Sequence, residues 1–302
     1  MLQPETDAVP VKLLNPYRDA TGLWVRGNFH GHCQENSPCA SVPLAQAAGK
    51  YRDNGYDFVT FTDHDAVTDL RAVETAHPGL IFLRGFEYSR AENLLFIGTA
   101  VPPLYLLPLR DAMAAAGGLL TIVCHPQPRP DEVYWSREKI LALGRLPDGL
   151  EAYNGHYGVL GKLKAGCSPQ YTHFWDSLLT AGLRMWGFAN DDSHDPADFL
   201  NAWNMVLVER VTAPEIIAAA RLGRCYGTTG LLLDRFDEAD GRIQVAVQSP
   251  CTGRFIGPGG RVLYQADGLR FEYSVTGEAY VRFEASSGPA RLFLQPLFRQ
   301  QT

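Results

Sequence analysis

Apolar and polar positions follow a repeating plan along the first two-thirds of the chain. Short apolar runs end at a titratable residue, and a stretch with helical spacing and capping residues at its start follows each run. The first three apolar runs are residues 24–32, 56–62 and 80–86. Because this alternation is typical of parallel strands joined by helices, it predicts a parallel barrel or sheet.

The later segments continue the plan. Apolar runs of strand length lie at residues 94–98, 119–124, 150–154, 185–190 and 205–208. Helical spacing is found at residues 43–53, 108–116, 136–143, 169–181 and 214–222. Ser41 and Pro43 predict the start of the first of these helices, which Asn54 and Gly55 end.

The helix at 214–222 carries the clearest signals. Thr212 and Glu215 have the spacing of a capping box, and Gly223 follows as a stop. From Arg242 onward, alternating β-type runs separated by glycine-rich turns replace the helical pattern. We therefore predict an N-terminal extension at 1–20, a metal-binding barrel at 21–236 and a small antiparallel β appendage at 237–302.

Composition narrows the class of protein. The chain has 302 residues, of which 46% are apolar and 20% charged, as in an ordinary globular protein. A net charge of −6 argues against a nucleic-acid surface. The acidic N-terminus is not a secretory signal, and no apolar run reaches the length of a membrane span. Six scattered cysteines then predict reduced thiols and a cytoplasmic location.

Candidate metal ligands recur where the apolar runs end. His30 and His32 are one residue apart, so in an extended chain both side chains point to one side and can bind one ion. Since the carboxyl ends of parallel strands converge on one face, ligands that are distant in sequence can meet there. The candidate metal ligands are His30, His32, His64, Glu87, His125, Asp192 and His194. Glu87, His125, Asp192 and His194 are also the candidate catalytic residues.

This ligand set favours a metal-dependent hydrolase. Imidazole and carboxylate groups suit zinc, manganese or iron, and a carboxylate such as Glu87 can bridge two ions. Two ions can lower the pKa of a water molecule and neutralise charge on a phosphoryl or acyl oxygen. Asp63 and Asp65 either orient an imidazole or cap a loop, and Cys33 is either a soft ligand or packing. We interpret His77, His156 and His173 as structural.

These residues resemble the polymerase and histidinol phosphatase (PHP) family of metal-dependent phosphoesterases. The resemblance covers about residues 20–230 and rests on five segments. They are Gly27-Asn-Phe-His-Gly-His, Gly55-Tyr-Asp-Phe-Val-Thr-Phe-Thr-Asp-His-Asp, Gly85-Phe-Glu, Cys124-His-Pro and Asp191-Asp-Ser-His. Glu151-Ala-Tyr-Asn-Gly and the tail ending Leu294-Gln-Pro-Leu look most like the branch that contains carbaryl-type hydrolases.

The resemblance implies a distorted (β/α)7 barrel that holds up to three divalent ions. One position would consist of His30, His32, Glu87 and Asp192, and a second of His64 and His194 with an acid where this chain has Ser37. Glu35 is the alternative acid from the same loop, or a solvated surface carboxylate. A third position would combine Glu87 and His125 with a histidine where this chain has Asn93. Two ions are therefore expected.

Two further residues are candidate substrate contacts. Arg129 suits a phosphate group, although a plain surface charge is the alternative, and Glu151 is the second candidate. The leading hypothesis is a phosphoesterase that acts on a small-molecule phosphate ester with metal-activated water. The alternatives are hydrolysis of a carboxyl ester, amide or carbamate at the same ions, and a binding module that has lost activity. A homo-oligomer stays open, and no membrane contact is expected.

Overall fold

The computed structural model describes residues 12–300, so residues 1–11 of the predicted N-terminal extension lie outside the described part. The strands are β1 (Leu13–Leu14), β2 (Leu23–Asn28), β3 (Phe58–Phe61), β4 (Ile81–Tyr88), β5 (Leu94–Gly98), β6 (Leu120–Val123), β7 (Gly149–Asn154), β8 (Trp186–Asn190), β9 (Trp203–Val208), β10 (Cys225–Thr228), β11 (Leu233–Ala239), β12 (Arg242–Gly257), β13 (Arg261–Ser274), β14 (Tyr280–Ser287), β15 (Ala290–Leu294) and β16 (Leu297–Arg299). The α-helices are α1 (Leu44–Asp53), α2 (Arg71–Ala76), α3 (Leu109–Ala115), α4 (Arg137–Ala142), α5 (Gly155–Gly158), α6 (Leu160–Lys164), α7 (Thr172–Thr180) and α8 (Ala213–Arg221). Short 3-10 turns occur at Leu104–Leu106 and Pro258–Gly260.

The central sheet is mixed, and most of its strands share one direction. β2, β3 and β4 pair in parallel, as do β6, β7 and β8. β5 lies antiparallel between β4 and β6, so the two parallel groups point the same way. β9 runs antiparallel beside β2. The mixed α/β class with a large, mostly parallel sheet is confirmed, and the carboxyl ends of β2 to β4 and β6 to β8 lie at one edge.

The backbone ladders do not close this sheet into a regular barrel. Among the described residues, β8 is the last strand in the order of paired strands, and no backbone ladder joins it to β9. The side chain of Asn204 in β9 bridges these two strands. Its amide donates to the carbonyl oxygen of Ala189 at 2.7 Å and accepts from the Ala189 N–H at 3.0 Å. Past the strand ends, a single parallel bridge joins Gly31 to Ser193. The two parallel groups, β2 to β4 and β6 to β8, therefore meet at the edge that carries the candidate ligands. The backbone ladders do not form a closed seven-stranded barrel.

The helices pack apolar faces against this sheet, as the periodicity predicts. α1 buries Leu44, Ala47, Ala48 and Tyr51, which are the four residues expected on its inner face. α8 packs Ile216 and Ala220 onto the sheet core. It ends before Gly223, whose φ of 73° and contact with the Trp186 ring leave no room for a Cβ.

Two predicted caps are wrong in detail. Thr212 makes no side-chain cap on α8, and the Glu215 carboxylate accepts instead from the Arg210 N–H at 2.8 Å. At α1 the residue before the helix is Pro43, whereas Ser41 donates to Asp195. Neither predicted cap forms, because Glu215 pairs with Arg210 and the Ser41 hydroxyl is bound to Asp195.

The C-terminal strands form the antiparallel structure that the sequence predicts, but they are not separate from the sheet. β11 begins at Leu233, four residues before the predicted boundary. β15 pairs with β10, so the C-terminal strands continue the ladder of the central sheet. Their core includes Leu13 and Tyr226 together with apolar residues of β11 to β16. Nowhere in residues 12–300 is a helix both long enough and apolar enough to span a membrane.

Candidate metal centre

The predicted ligands follow the ends of the co-directional strands at closely similar offsets. His30, His125 and Asp192 each stand two residues after a strand, behind β2, β6 and β8. Glu87 is the penultimate residue of β4. Because these strand ends share one edge, the four side chains converge in a buried cluster, where His30 and Glu87 have no exposed surface.

His30, His32 and Asp192 form the tightest group of the cluster. Their ligand atoms all lie within 4.8 Å of one another. The Nε2 atoms of His30 and His32 are 3.2 Å apart, and each lies 3.1 Å from Oδ1 of Asp192. Two imidazole nitrogens and one carboxylate oxygen at these distances are the donor set of a divalent cation.

Glu87 lies between this group and the remaining histidines. Its Oε1 is 3.5 Å from Nε2 of His30 and 3.2 Å from Nε2 of His125. Its Oε2 is 2.9 Å from Nδ1 of His64 but finds no hydrogen-bond partner among residues 12–300. A buried carboxylate oxygen without a hydrogen bond is costly, so the residues present fit a bound cation at this oxygen.

Glu151 lies behind two of these residues. Its carboxylate accepts from Nδ1 of His30 at 2.8 Å and from the backbone N–H of His125 at 2.7 Å. The side chains of Asn154 and Asn190 donate to it at 2.8 and 3.0 Å. Glu151 is fully buried with these four partners and directs Nε2 of His30 into the cluster, and its contact with substrate stays a prediction.

Ser37 supports His32 in a similar way. Its hydroxyl donates to Asp63 at 2.7 Å and lies 3.2 Å from Nδ1 of His32, which leaves Nε2 of His32 free to bind. Asp63 also accepts from the backbone N–H and the thiol of Cys33. Asp63 therefore caps the loop and also orients the His32 imidazole through Ser37. The Cys33 thiol is buried and hydrogen-bonded to Asp63.

The structure does not bring Glu35 into the cluster. Both of its carboxylate oxygens accept from the backbone N–H of Leu44, at 3.1 and 2.8 Å. Glu35 therefore caps the N-terminus of α1, where a negative charge is favourable, and its role as a metal ligand stays a prediction.

A second group combines His32 with the two partly exposed histidines. The ligand atoms of His32, His64 and His194 lie within 4.8 Å of one another. Nδ1 of His194 is 2.9 Å from the carbonyl oxygen of Asp192. His64 and His194 are the residues that the resemblance implies for a second ion, whereas it places His32 in the first position. Ser37 stands where the resemblance implies an acid, and its hydroxyl is already hydrogen-bonded with Asp63 and His32.

Around His125 the side chains differ from a metal position. Asn93 accepts from the Tyr134 hydroxyl, and the Tyr134 ring stacks on His125 with centroids 5.9 Å apart. Nδ1 of His125 has no hydrogen-bond partner within the described chain. The Asn93 amide holds Tyr134 in place rather than completing a ligand set.

The backbone is strained at three residues of the cluster and its loops. Asp65, His125 and Asp192 have φ values of 48°, 23° and 51°, in the left-handed region that residues with a Cβ avoid. Strain of this kind persists only where surrounding contacts enforce it, and it is concentrated at functional sites.

Burial and neighbouring charges act in opposite directions on the titratable groups. Burial would raise the pKa of Glu87 and Asp192, but the imidazoles around them, His30 foremost, hold both pKa values well below the ordinary range. Burial would lower the pKa of His30, yet Asp192 and Glu87 outweigh it and raise this pKa well above its usual value. At His32 burial dominates and lowers the pKa to about 4. The carboxylates and His32 thus have the protonation states that metal binding requires, whereas a bound cation would have to displace the proton of His30.

A cavity of about 670 Å³ opens onto the cluster. Arg129 and Lys162 bring positive charge to its wall, and Glu132 brings one negative charge. Arg129 thus lies where the sequence places a substrate contact. The remaining lining residues include Cys39, Asn93, Tyr134, His156, Tyr157 and Cys167.

Sequence reasoning missed His156, which we interpreted as structural. Its ring lies beside that of His194, with centroids 4.8 Å apart, and Nδ1 is 3.0 Å from Oδ2 of Asp198. The one available signal was its place directly after the strand-length run 150–154, as for the other ligands.

The overall fold has a counterpart among solved structures. A two-domain protein from Bacteroides vulgatus ATCC 8482, described as containing a predicted PHP-like metal-dependent phosphoesterase, superposes with a TM-score of 0.52 and 18% identity, covering 88% of this chain and 92% of that chain. This chain has a PHP-like fold. At this level of identity the likeness concerns the fold alone.

Two other structures are more distant from this chain. One is a putative metal-dependent phosphoesterase from Bifidobacterium adolescentis, with a TM-score of 0.39 and 15% identity over 57% of this chain and 88% of that chain. The other is a lesion-specific endonuclease from Pyrococcus furiosus, with a TM-score of 0.45 and 17% identity over 67% of this chain and 56% of that chain. No family model matches the sequence, and no curated protein matches it significantly. Membership of the carbaryl-hydrolase-like branch stays a prediction.

Proposed function

We propose that this chain is a metal-dependent hydrolase that cleaves phosphate esters. One observation carries the proposal. The Nε2 atoms of His30 and His32 and an oxygen of Asp192 lie 3.1 to 3.2 Å apart, beside a Glu87 oxygen that has no hydrogen-bond partner in the described chain. A buried polar cluster of this composition needs a cation to balance it.

Two ions are proposed, and zinc, manganese and iron all suit the ligands. His30, His32, Glu87 and Asp192 would hold the first ion. His64 and His194 would contribute to the second, and Glu87 lies close enough to both groups to bridge them. When bound, such ions activate a water molecule and neutralise charge that develops on the attacked group.

The charges of the cavity favour an anionic substrate. Arg129 and Lys162 line the cavity, and Glu132 is the one acid among its described lining residues besides Glu87 and Asp192 of the metal cluster. A guanidinium binds two phosphate oxygens with matched geometry, and Lys162 adds a point charge. These two cations would bind and orient the phosphate group, and the Tyr134 and Tyr157 rings, packed on His125, would exclude water from one side.

Phosphate-ester turnover with defined metals tests the proposal. We expect the metal-loaded protein to hydrolyse members of a phosphomonoester and phosphodiester panel, and Asp192→Asn to lose that activity. His173→Ala is the matched control, because His173 is exposed on α7, outside the cluster.

The contrary outcomes are distinct. Bound metal with no phosphate-ester turnover, but with turnover of carboxyl esters, amides or carbamates, would refute phosphoester chemistry. Failure of the folded protein to bind any of the three metals would refute the hydrolase itself and favour a binding module.

A further inference from the structure

The second metal position has room for a further protein ligand. His64 and His194 with a bridging Glu87 provide three donors, and zinc, manganese and iron also accept four or more. Ser37 is occupied by Asp63 and His32.

His156 lies next to this incomplete position. It is in α5, directly after β7, and its backbone N–H donates to the carbonyl oxygen of Asp191 at 2.8 Å. This bond fixes α5 to the segment that carries Asp192 and His194. The rings of His156 and His194 are 4.8 Å apart, and both residues line the cavity together with His64.

Asp198 fixes which nitrogen of His156 is available. Its Oδ2 lies 3.0 Å from Nδ1 of His156 and also accepts from the backbone N–H groups of His194 and Asp195, at 2.9 and 2.8 Å. The Asp198 side chain is 3% exposed. With Nδ1 donating to this carboxylate, Nε2 of His156 keeps its lone pair. A carboxylate behind an imidazole is the usual support of a metal-binding histidine.

Two groups of possible ligands share one residue. The ligand atoms of His156, His194 and Asp198 lie within 4.8 Å of one another, as do those of His32, His64 and His194. His194 therefore belongs to both groups. Since the Asp198 oxygen already accepts three hydrogen bonds, the imidazole of His156 is the free donor of its group.

We propose that His156 is a ligand of the second metal position, in the place that Ser37 leaves unfilled, with Asp198 as its positioning residue. The proposal rests on the metal-dependent function proposed above. It predicts a second ion held chiefly by imidazole nitrogens, from His64, His156 and His194.

Metal content of the whole chain tests this assignment without reference to turnover. The proteins are loaded with Zn²⁺ or Co²⁺, passed through a desalting column and measured by elemental analysis. We expect about two equivalents in the wild type and in the control His173→Ala, and about one in His156→Ala. With Co²⁺, His156→Ala should also lose part of the visible absorption that low-coordinate cobalt gives.

Asp198→Asn keeps the ligand but weakens its support. It should retain both ions, but chelator competition should show an affinity for the second ion that is about 10- to 100-fold lower than in the wild type. His156→Gln serves if the alanine variant does not fold, as judged by circular dichroism.

The outcomes separate the two proposals. Two equivalents with unchanged affinity in both His156 variants would overturn the role of His156 and leave the hydrolase intact. Loss of both ions from a folded His156→Ala would also overturn it, because the first position should not depend on this residue. A wild type without metal would instead refute the proposed function.

Discussion

The buried ion pair between α7 and β14 should be among the largest single contributions to stability. Nε and Nη2 of Arg282 donate to the two oxygens of Asp176 at 2.8 and 2.6 Å, and the Tyr280 hydroxyl adds a bond of 3.0 Å. Nη1 of Arg282 donates to Glu284 at 2.7 Å. The side chains of Arg282 and Asp176 are 2% and 4% exposed, so water cannot replace a lost partner.

The expected magnitudes follow from what each variant leaves behind. Breaking a buried pair costs about 3–5 kcal/mol, against about 0.2–1 kcal/mol for an exposed one. Asp176→Asn should lie near the lower end, about 3 kcal/mol, because Glu284 still compensates the guanidinium. Arg282→Met should lie near the upper end, about 5 kcal/mol, because only the Tyr280 hydroxyl would remain on the Asp176 carboxylate.

Urea unfolding followed by circular dichroism measures these free energies. Metal content must be matched first, since a bound ion adds to the stability of the folded state. The double variant Asp176→Leu with Arg282→Met should cost less than Arg282→Met alone, because it removes the buried Asp176 carboxylate that the single variant leaves without its cation. Single variants that each cost under about 1 kcal/mol, or a double variant that equals their sum, would refute this reasoning.

Three further variants test individual contacts. Glu35→Ala should lower the free energy of unfolding by about 0.5–2 kcal/mol, because the α1 cap is lost, and its metal content should equal that of the wild type. A loss of metal would show that Glu35 is a ligand. Glu151→Gln should weaken metal binding about 10- to 100-fold in chelator competition, because it loosens His30, and unchanged affinity would contradict that support. Burial opposes ionisation of Glu278, but bonds from the Tyr273 hydroxyl and neighbouring backbone amides lower its pKa to about 2. Wild type should therefore be more stable than Glu278→Gln at neutral pH, and this difference should disappear as the pH falls from about 4 towards 2. Urea unfolding at a series of pH values measures it. A difference in stability that does not change with pH would exclude this linkage.

The strands and most of the converging side chains could be predicted because their signals are local. An apolar run such as Phe58–Phe61 is buried at all four positions, and the polar residue that follows it must lie at the strand's end. The direction shared by such strands then brings His64 and Glu87 together without further information. The same logic indicates the face of α1, since its four apolar residues recur at helical spacing.

What the sequence could not predict depends on partners far apart in the chain. The Glu35 carboxylate caps a helix nine residues away, where Ser41 offered an equally good local signal. β10 escaped prediction because Cys225–Thr228 is short and gains its place by pairing with β9 and β15. His156 has no motif, and only the fold places it beside His194.

The imidazole nitrogens give the strongest physical argument for a cation. In four histidines of the cluster Nδ1 has a partner that fixes the orientation of the ring: His30 with Glu151, His32 with Ser37, His156 with Asp198 and His194 with the Asp192 carbonyl. The opposite nitrogens of His30 and His32 lie together beside shared carboxylate oxygens. A proton or a metal ion between these two nitrogens removes the repulsion of their lone pairs, and the raised pKa of His30 favours a proton there when no metal is bound. The carboxylates of Glu87 and Asp192 stabilise positive charge at this point, so a divalent cation that displaces the proton would be held there.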